Sequence, residues 1–234
     1  KVGSSEDIQN CADEGIQIFG GMGFSADTPM ESAWRDARIG RIYEGTNEIN
    51  RMLSVGMLLK KSIKGELDLM GVVMKLVEEI TKGKVPKSEN NESILNEELT
   101  ILKNLKNVFL IIAGSAFQKY GSDFQKHQQS LLGLSDMLIE IYFAESALLR
   151  TIKNNDRGHE ISYQSDMSKL YLFEATDLIQ KKAKEIIGNI SKGEAKKTLL
   201  KGIHRLCRYE DLPDIISLKN KIAEKVINEN KYCF

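Results

Sequence analysis

The run Arg41-Ile-Tyr-Glu-Gly-Thr-Asn-Glu-Ile-Asn50 holds the residues best suited to chemistry. Glu44 stands directly before Gly45, and a helical pattern begins at Thr46 or Asn47. Gly45 accepts backbone angles that other residues avoid and lets a second molecule come close to the main chain. The Thr46 hydroxyl can cap the helix. Glu44 is thereby placed at a helix mouth rather than along a flank, where a surface glutamate normally lies. A carboxylate so placed can act as a general base, taking a proton from a bound molecule. Glu-Gly-Thr alone equally describes a helix-starting turn with a solvated acid, so the neighbouring segments decide.

Those segments read as helices. Ser4 and Asp7 resemble a capping box, and Ile8, Cys11, Ala12, Gly15, Ile16 and Phe19 follow at helical spacing as one apolar stripe. Gly20, Gly21 and Gly23 stop that helix and leave main-chain groups uncovered. Gly21-Met-Gly-Phe-Ser-Ala26 satisfies the dinucleotide pattern G-x-G-x-x-A in letters only, because that motif follows a strand and opens a helix. Here a helix comes first. Asp27-Thr28-Pro29 predicts a second helix start, with Trp34 and a structural Arg35-Asp36 charge pair beyond it. A third helix is predicted over 46–61, with Ile49, Met52, Leu53 and Gly56 on one face. Lys60, Lys61 and Lys64 fall near its C-terminus, where positive charge suits the helix dipole.

The chain's 33 basic and 33 acidic residues cancel. That balance argues against a nucleic-acid binder and gives no long-range pull toward anionic membranes. Three prolines among 234 residues and few alternating β-branched runs predict an all-α protein. Cys11, Cys207 and Cys233 are odd in number and widely spaced, which fits a reducing compartment. No apolar run approaches the roughly 18 residues that cross a bilayer. The start, Lys-Val-Gly-Ser-Ser-Glu, lacks a signal-peptide hydrophobic region and a methionine, so the chain reads as cut from something longer.

Beyond residue 65 the composition changes. Residues 66–92 read as a connector carrying one short helix at 67–82. Residues 93–234 read as an up-down helical bundle. Leu95, Leu99, Leu102, Val108, Phe109, Ile112 and Ala116 mark one long helix; Leu131, Leu134, Leu138, Ile141, Glu145 and Leu148 mark another. Tyr171, Ala175, Leu178, Ala183, Ile186 and Ile190 mark a third, and Ile215, Leu218, Ile222 and Val226 a last, shorter one. Glu145 is expected to pair with Arg150 or sit at the stripe's edge. His204 and Cys207 share a metal-like spacing without a second ligand pair, so no metal site is assigned. His127 and His159 read as solvent residues. The lysines of 181–201 form a wet face, with membrane or acidic-partner contact as a lesser reading.

Three blocks taken together carry a resemblance: Gln17-Ile-Phe-Gly-Gly-Met-Gly-Phe24, Trp34-Arg-Asp-Ala-Arg38 and Ile42-Tyr-Glu-Gly-Thr-Asn-Glu-Ile49. In order and spacing they resemble the C-terminal signature of the acyl-CoA dehydrogenase flavoproteins, densely over residues 5–65. Residues 127–151 are more weakly similar to the extra helical region of long-chain and very-long-chain members. The resemblance implies an all-α fold: C-terminal helices of the catalytic domain over 1–65, then an appended bundle. It implies that Glu44 is the catalytic base, that the Gly45 main chain meets substrate, and that Tyr43 walls the acyl pocket. It implies FAD contacts by Thr46, Asn47 and Glu48, and contacts by Gln17, Ile18, Phe19, Gly20 and Gly21 to the FAD of a neighbouring subunit. Met22 stands where relatives often have asparagine. The implied partners are an acyl-CoA substrate and an electron-transfer flavoprotein, with a homodimer in full length, in bacterial cytoplasm or mitochondrial matrix.

The implied chemistry asks much of these residues. The α-proton of a thioester is weakly acidic. Burial beside an apolar chain makes a carboxylate a stronger base, and the negative charge developing on the thioester oxygen needs donors already in place. Hydride then passes from the β-carbon to the flavin. The family fold also needs an N-terminal helical domain, a β-domain and earlier bundle helices, none of which precedes Lys1. This chain alone is therefore expected to hold FAD poorly and to be inactive. Two other readings stand beside this one: an acyl-CoA oxidase, which returns electrons to oxygen, and a non-catalytic helical module for dimerisation or docking.

Overall fold

The computed structural model describes residues 1–82 and 94–234. Among the described residues there are nine α-helices and no strand, as the scarcity of β-branched alternation predicts. The chain divides into two compact units, residues 1–61 and 62–234.

The first unit contains α1 (Val2–Phe19), a 3-10 turn (Gly20–Phe24), α2 (Pro29–Ile39) and most of α3 (Asn47–Ile63). α1 starts earlier than the capping-box reading predicts. The Ser5 N–H already donates to the Lys1 carbonyl at 3.1 Å, and the Ser5 hydroxyl donates to the Val2 carbonyl at 2.9 Å. Ser4 lies inside the helix and caps nothing. The predicted stripe of α1 is also corrected: Ala12 is buried, but Ile8, Cys11 and Phe19 are exposed, while Val2 and Gln9 are buried. α2 covers only a narrow strip of α1, seating Met30 against Gly15. Gly23 closes the turn so tightly that a Cβ there would lie 2.6 Å from the Ile16 carbonyl oxygen. Pro29 opens α2 behind Thr28, whose hydroxyl donates to the Met22 carbonyl at 2.8 Å. The Trp34 indole N–H donates to Asp13, and Arg35 pairs with Glu31 rather than with its neighbour Asp36.

α3 also turns a different face inward. Asn47, Val55 and Leu59 are buried, whereas Ile49 and Leu53 of the predicted face are exposed. Spacing of four and eight residues puts the three buried side chains on one stripe with Arg51. A polar residue at the head of that stripe fixes the helix rotation, which apolar periodicity alone does not reveal.

The second unit contains α4 (Leu69–Thr81), α5 (Asn96–Tyr120), a 3-10 turn (Gly121–Lys126), α6 (Gln128–Asp156), α7 (Ser162–Ile190), α8 (Gly193–Leu206) and α9 (Ile215–Glu229). α5, α6 and α7 pack on one another around Leu105, Val108, Ile112, Leu134, Met137, Leu148, Leu172, Ile179 and Ile187, all fully buried. α4 packs on α5, with Val73 lying over Gly114. Residues 62–82 thus group with the bundle, and the rest of the predicted connector, 83–92, lies outside the described residues. α8 is a separate amphipathic helix on α7 and α5, hidden in the sequence by the lysines around it.

Three further expectations change. Glu145 pairs across helices with Lys106, not with Arg150. His127 is half-buried and stacks on Tyr120 at 3.5 Å between ring centres. The Asn96–Lys126 segment is long and apolar enough to cross a membrane by length and composition, contrary to the apolar-run reading, but most of its apolar stretch is buried, as in the central helix of a bundle. His204 is exposed while Cys207 is buried, its thiol pushed up to about 12 by that burial. No group of three or more potential metal ligands occurs among the described residues.

Candidate active site

The seven residues between α2 and α3 form a loop closed by the Asn47 N–H, which donates to the Arg41 carbonyl at 3.1 Å. Within it the chain turns left-handed twice, at Glu44 (φ 54°) and at Gly45 (φ 79°). For Gly45 that geometry is free of penalty. For Glu44 it costs about 1–2 kcal/mol, because the Cβ crowds the following carbonyl. The result is an exposed carboxylate, with Tyr43 beside it and 57% exposed.

Asn50 secures the turn from inside, although no local pattern singles it out. Its side-chain amide donates to the carbonyls of Gly45 at 2.7 Å, Thr46 at 3.2 Å and Glu44 at 3.3 Å. Thr46 caps α3 as expected, its hydroxyl oxygen accepting the Ile49 N–H at 3.4 Å. Glu48 is exposed, and its own main-chain N–H together with the Thr46 hydroxyl holds its carboxyl below the usual range. Replacing Gly45 by alanine would force a side chain into the left-handed region, with its Cβ 3.1 Å from the Asn50 amide nitrogen. We expect Gly45→Ala to destabilise the first unit by about 1–2 kcal/mol, read as a lower denaturation midpoint.

Asn47 differs from its neighbours. It is 0% exposed, and its amide donates to Ser5 Oγ and to Glu6 Oε1, both at 2.9 Å. Its side-chain oxygen accepts from Lys1 Nζ, which also donates to the Gly45 carbonyl at 3.0 Å. Glu6 binds Arg41 as well, with Oε2 lying 2.9 Å from Nε in a poorly aligned ion pair. Its other oxygen lies 3.3 Å from Arg51 Nη1. Ordinary charged residues some forty positions apart thus converge on one carboxylate, and no local spacing announces them.

Gln17, Ile18, Phe19, Gly20 and Gly21 are exposed at the far end of α1. At 1.5 Å per residue, α1 separates them from Ser5 by about 20 Å. They form a surface of their own, with open space where a Cβ of Gly20 or Gly21 would stand. The arrangement offers two things: an exposed carboxylate at a helix mouth, and a bare main-chain ledge beside apolar side chains.

Two family models, each described as the acyl-CoA dehydrogenase C-terminal domain, match residues 1–58 and 104–205. A probable acyl-CoA dehydrogenase of Bacillus subtilis is 36% identical over 234 residues, covering 99% of this chain and 39% of the relative. The very long-chain specific acyl-CoA dehydrogenase of Bos taurus mitochondria is 27% identical over 185 residues, 71% of this chain and 28% of the relative. A solved structure of an acyl-CoA dehydrogenase complexed with FAD, from Bacillus anthracis, superposes with a TM-score of 0.91 at 34% identity, covering 98% of this chain and 39% of that one. The chain thus spans about two fifths of the length of the Bacillus relatives it matches.

Proposed function

Because this chain belongs to the acyl-CoA dehydrogenase family, we propose that it supplies the base for α,β-desaturation of an acyl-CoA thioester. The observation that carries this is the exposed carboxylate of Glu44, presented in a left-handed turn at the mouth of α3. Glu44 takes the α-proton, and the electron pair of that C–H bond becomes the second bond between Cα and Cβ as hydride leaves Cβ. The main chain at Gly45 is open to the thioester, and Tyr43 lines the acyl side. FAD, when bound, accepts the hydride.

The residues present fit such a cofactor. The bare ledge at Gly20 and Gly21 lets a second molecule approach the backbone, and Ile18 and Phe19 give it apolar cover. Gln17 completes that run, while Glu48 is exposed and Thr46 half-buried at the start of α3. The side chain of Asn47 is spent inside the first unit, so its contact with FAD would run through the main chain. The run at 17–21 serves the FAD of a neighbouring subunit in a homodimer, and residues 93–234 are the appended helical bundle, joined through the connector 66–92. This chain alone holds little flavin.

The test is anaerobic titration of the full-length protein with butyryl-, octanoyl- and palmitoyl-CoA. Bleaching of the flavin, reversed faster by an electron-transfer flavoprotein than by air, is the expected result. Reoxidation faster in air would make the protein an oxidase, and no bleaching by any thioester would end the reading.

A further inference from the structure

The loop that carries Glu44 has little packing of its own. Its side chains at Ile42, Tyr43 and Glu44 are exposed. α1 packs on α2 but touches α3 little, so polar groups are what join α1 to the start of α3. Those groups meet at Glu6. Arg41 lies near the start of the loop, Asn47 ends it, and Arg51 lies one turn further along α3; Asn47 and Arg51 donate to Glu6 Oε1, and Arg41 forms an ion pair with Oε2. One half-buried carboxylate thus ties together both ends of the loop in which the base is held left-handed.

We propose that Glu6 is a positioning residue for Glu44: it fixes the distance between the loop ends, and so the direction in which the catalytic carboxylate points. Glu6 touches no substrate and moves no proton. Removing one of its oxygens frees the Arg41 end from the Asn47 end, and the strained Glu44 backbone then relaxes toward an ordinary conformation. A displacement of about 1 Å at a reacting group costs on the order of 100-fold in rate. The inference rests on Glu44 being the base.

The experiment uses the full-length flavoprotein and the acyl-CoA, among butyryl-, octanoyl- and palmitoyl-CoA, that bleaches the wild type fastest. Two rates are read: flavin bleaching, and exchange of the α-hydrogens for deuterium in D2O, which reports proton abstraction without hydride transfer. Glu6→Gln is expected to slow both by about 10- to 100-fold while substrate affinity stays within about threefold. Glu6→Asp, which keeps the charge on a shorter arm, recovers part of the loss. A wild-type exchange rate in Glu6→Gln would overturn the proposal. So would equal losses of rate, affinity and bound flavin, which mark a purely structural contact. If Glu6→Gln does not fold, Arg51→Lys is measured in its place, keeping the charge and losing the geometry; wild-type exchange there has the same force. Glu44→Gln run in parallel separates the two ideas. If it exchanges normally, the base is elsewhere; if it is inactive while Glu6→Gln is normal, only the positioning role falls.

Discussion

Glu44→Gln in the full-length protein is expected to keep its flavin and its fold while losing a factor of roughly 100 to 10,000 in substrate-dependent bleaching, the range that a general base contributes. The glutamine amide has nearly the same shape as the carboxylate, and Glu44 makes no side-chain hydrogen bond or ion pair among those of the described residues. Its side chain is exposed, so the substitution removes no packing. Stability should therefore stay within about 0.5 kcal/mol, as for surface positions generally. The result to look for is a yellow, normally melting protein that binds acyl-CoA and does not react with it. Bleaching at the wild-type rate would place the base on another residue.

The second large effect concerns the bundle. Leu134 of α6 is 0% exposed and lies where α6 meets α5 and α7. Leu134→Ala removes its apolar contacts and leaves a cavity that close-packed neighbours fill only partly. The expected cost is about 2–5 kcal/mol, which for a protein of this size lowers the melting temperature by roughly 4–20 °C. Ile216 on α9 offers the matched control at 75% exposure, where truncation to alanine should change stability by less than about 0.5 kcal/mol. Circular dichroism melts of the two variants side by side measure the difference. Equal melting temperatures would mean that the buried stripe of α6 does not hold the bundle together.

The contrast between these positions also explains what could be read from the residues alone. α5, α6 and α7 are long and buried along one stripe, so their apolar spacing located both the helices and their inner faces. α1 and α3 carry similar spacing, yet Ile8, Phe19, Ile49 and Leu53 face outward. Their orientation is set by polar groups, with Asn47 buried at the head of the α3 stripe, and periodicity weighs only the apolar ones. α8 was lost among lysines because its buried positions, Gly202, Ile203 and Leu206, are few. At the candidate site, the role of Glu44 came from the resemblance, while the turn at Gly45 and the Thr46 cap were legible because a glycine at a helix start is a local pattern. Glu6, Arg41, Arg51 and Asn50 were not. They are residue types that usually lie in water, and their meeting is created by the fold.

The left-handed backbone at Glu44 has an evolutionary consequence. Aspartate and asparagine tolerate that conformation better than glutamate does, but aspartate carries its carboxylate one methylene shorter. Reach and backbone comfort pull this position in opposite directions, and under the proposed role the longer acid stands there to reach a bound thioester. If Glu44 has the proposed role, a descendant relieved of it would drift here first, toward asparagine or glycine, while the clamp around Glu6 decayed more slowly. The order of those losses would record when such a lineage stopped handling thioesters.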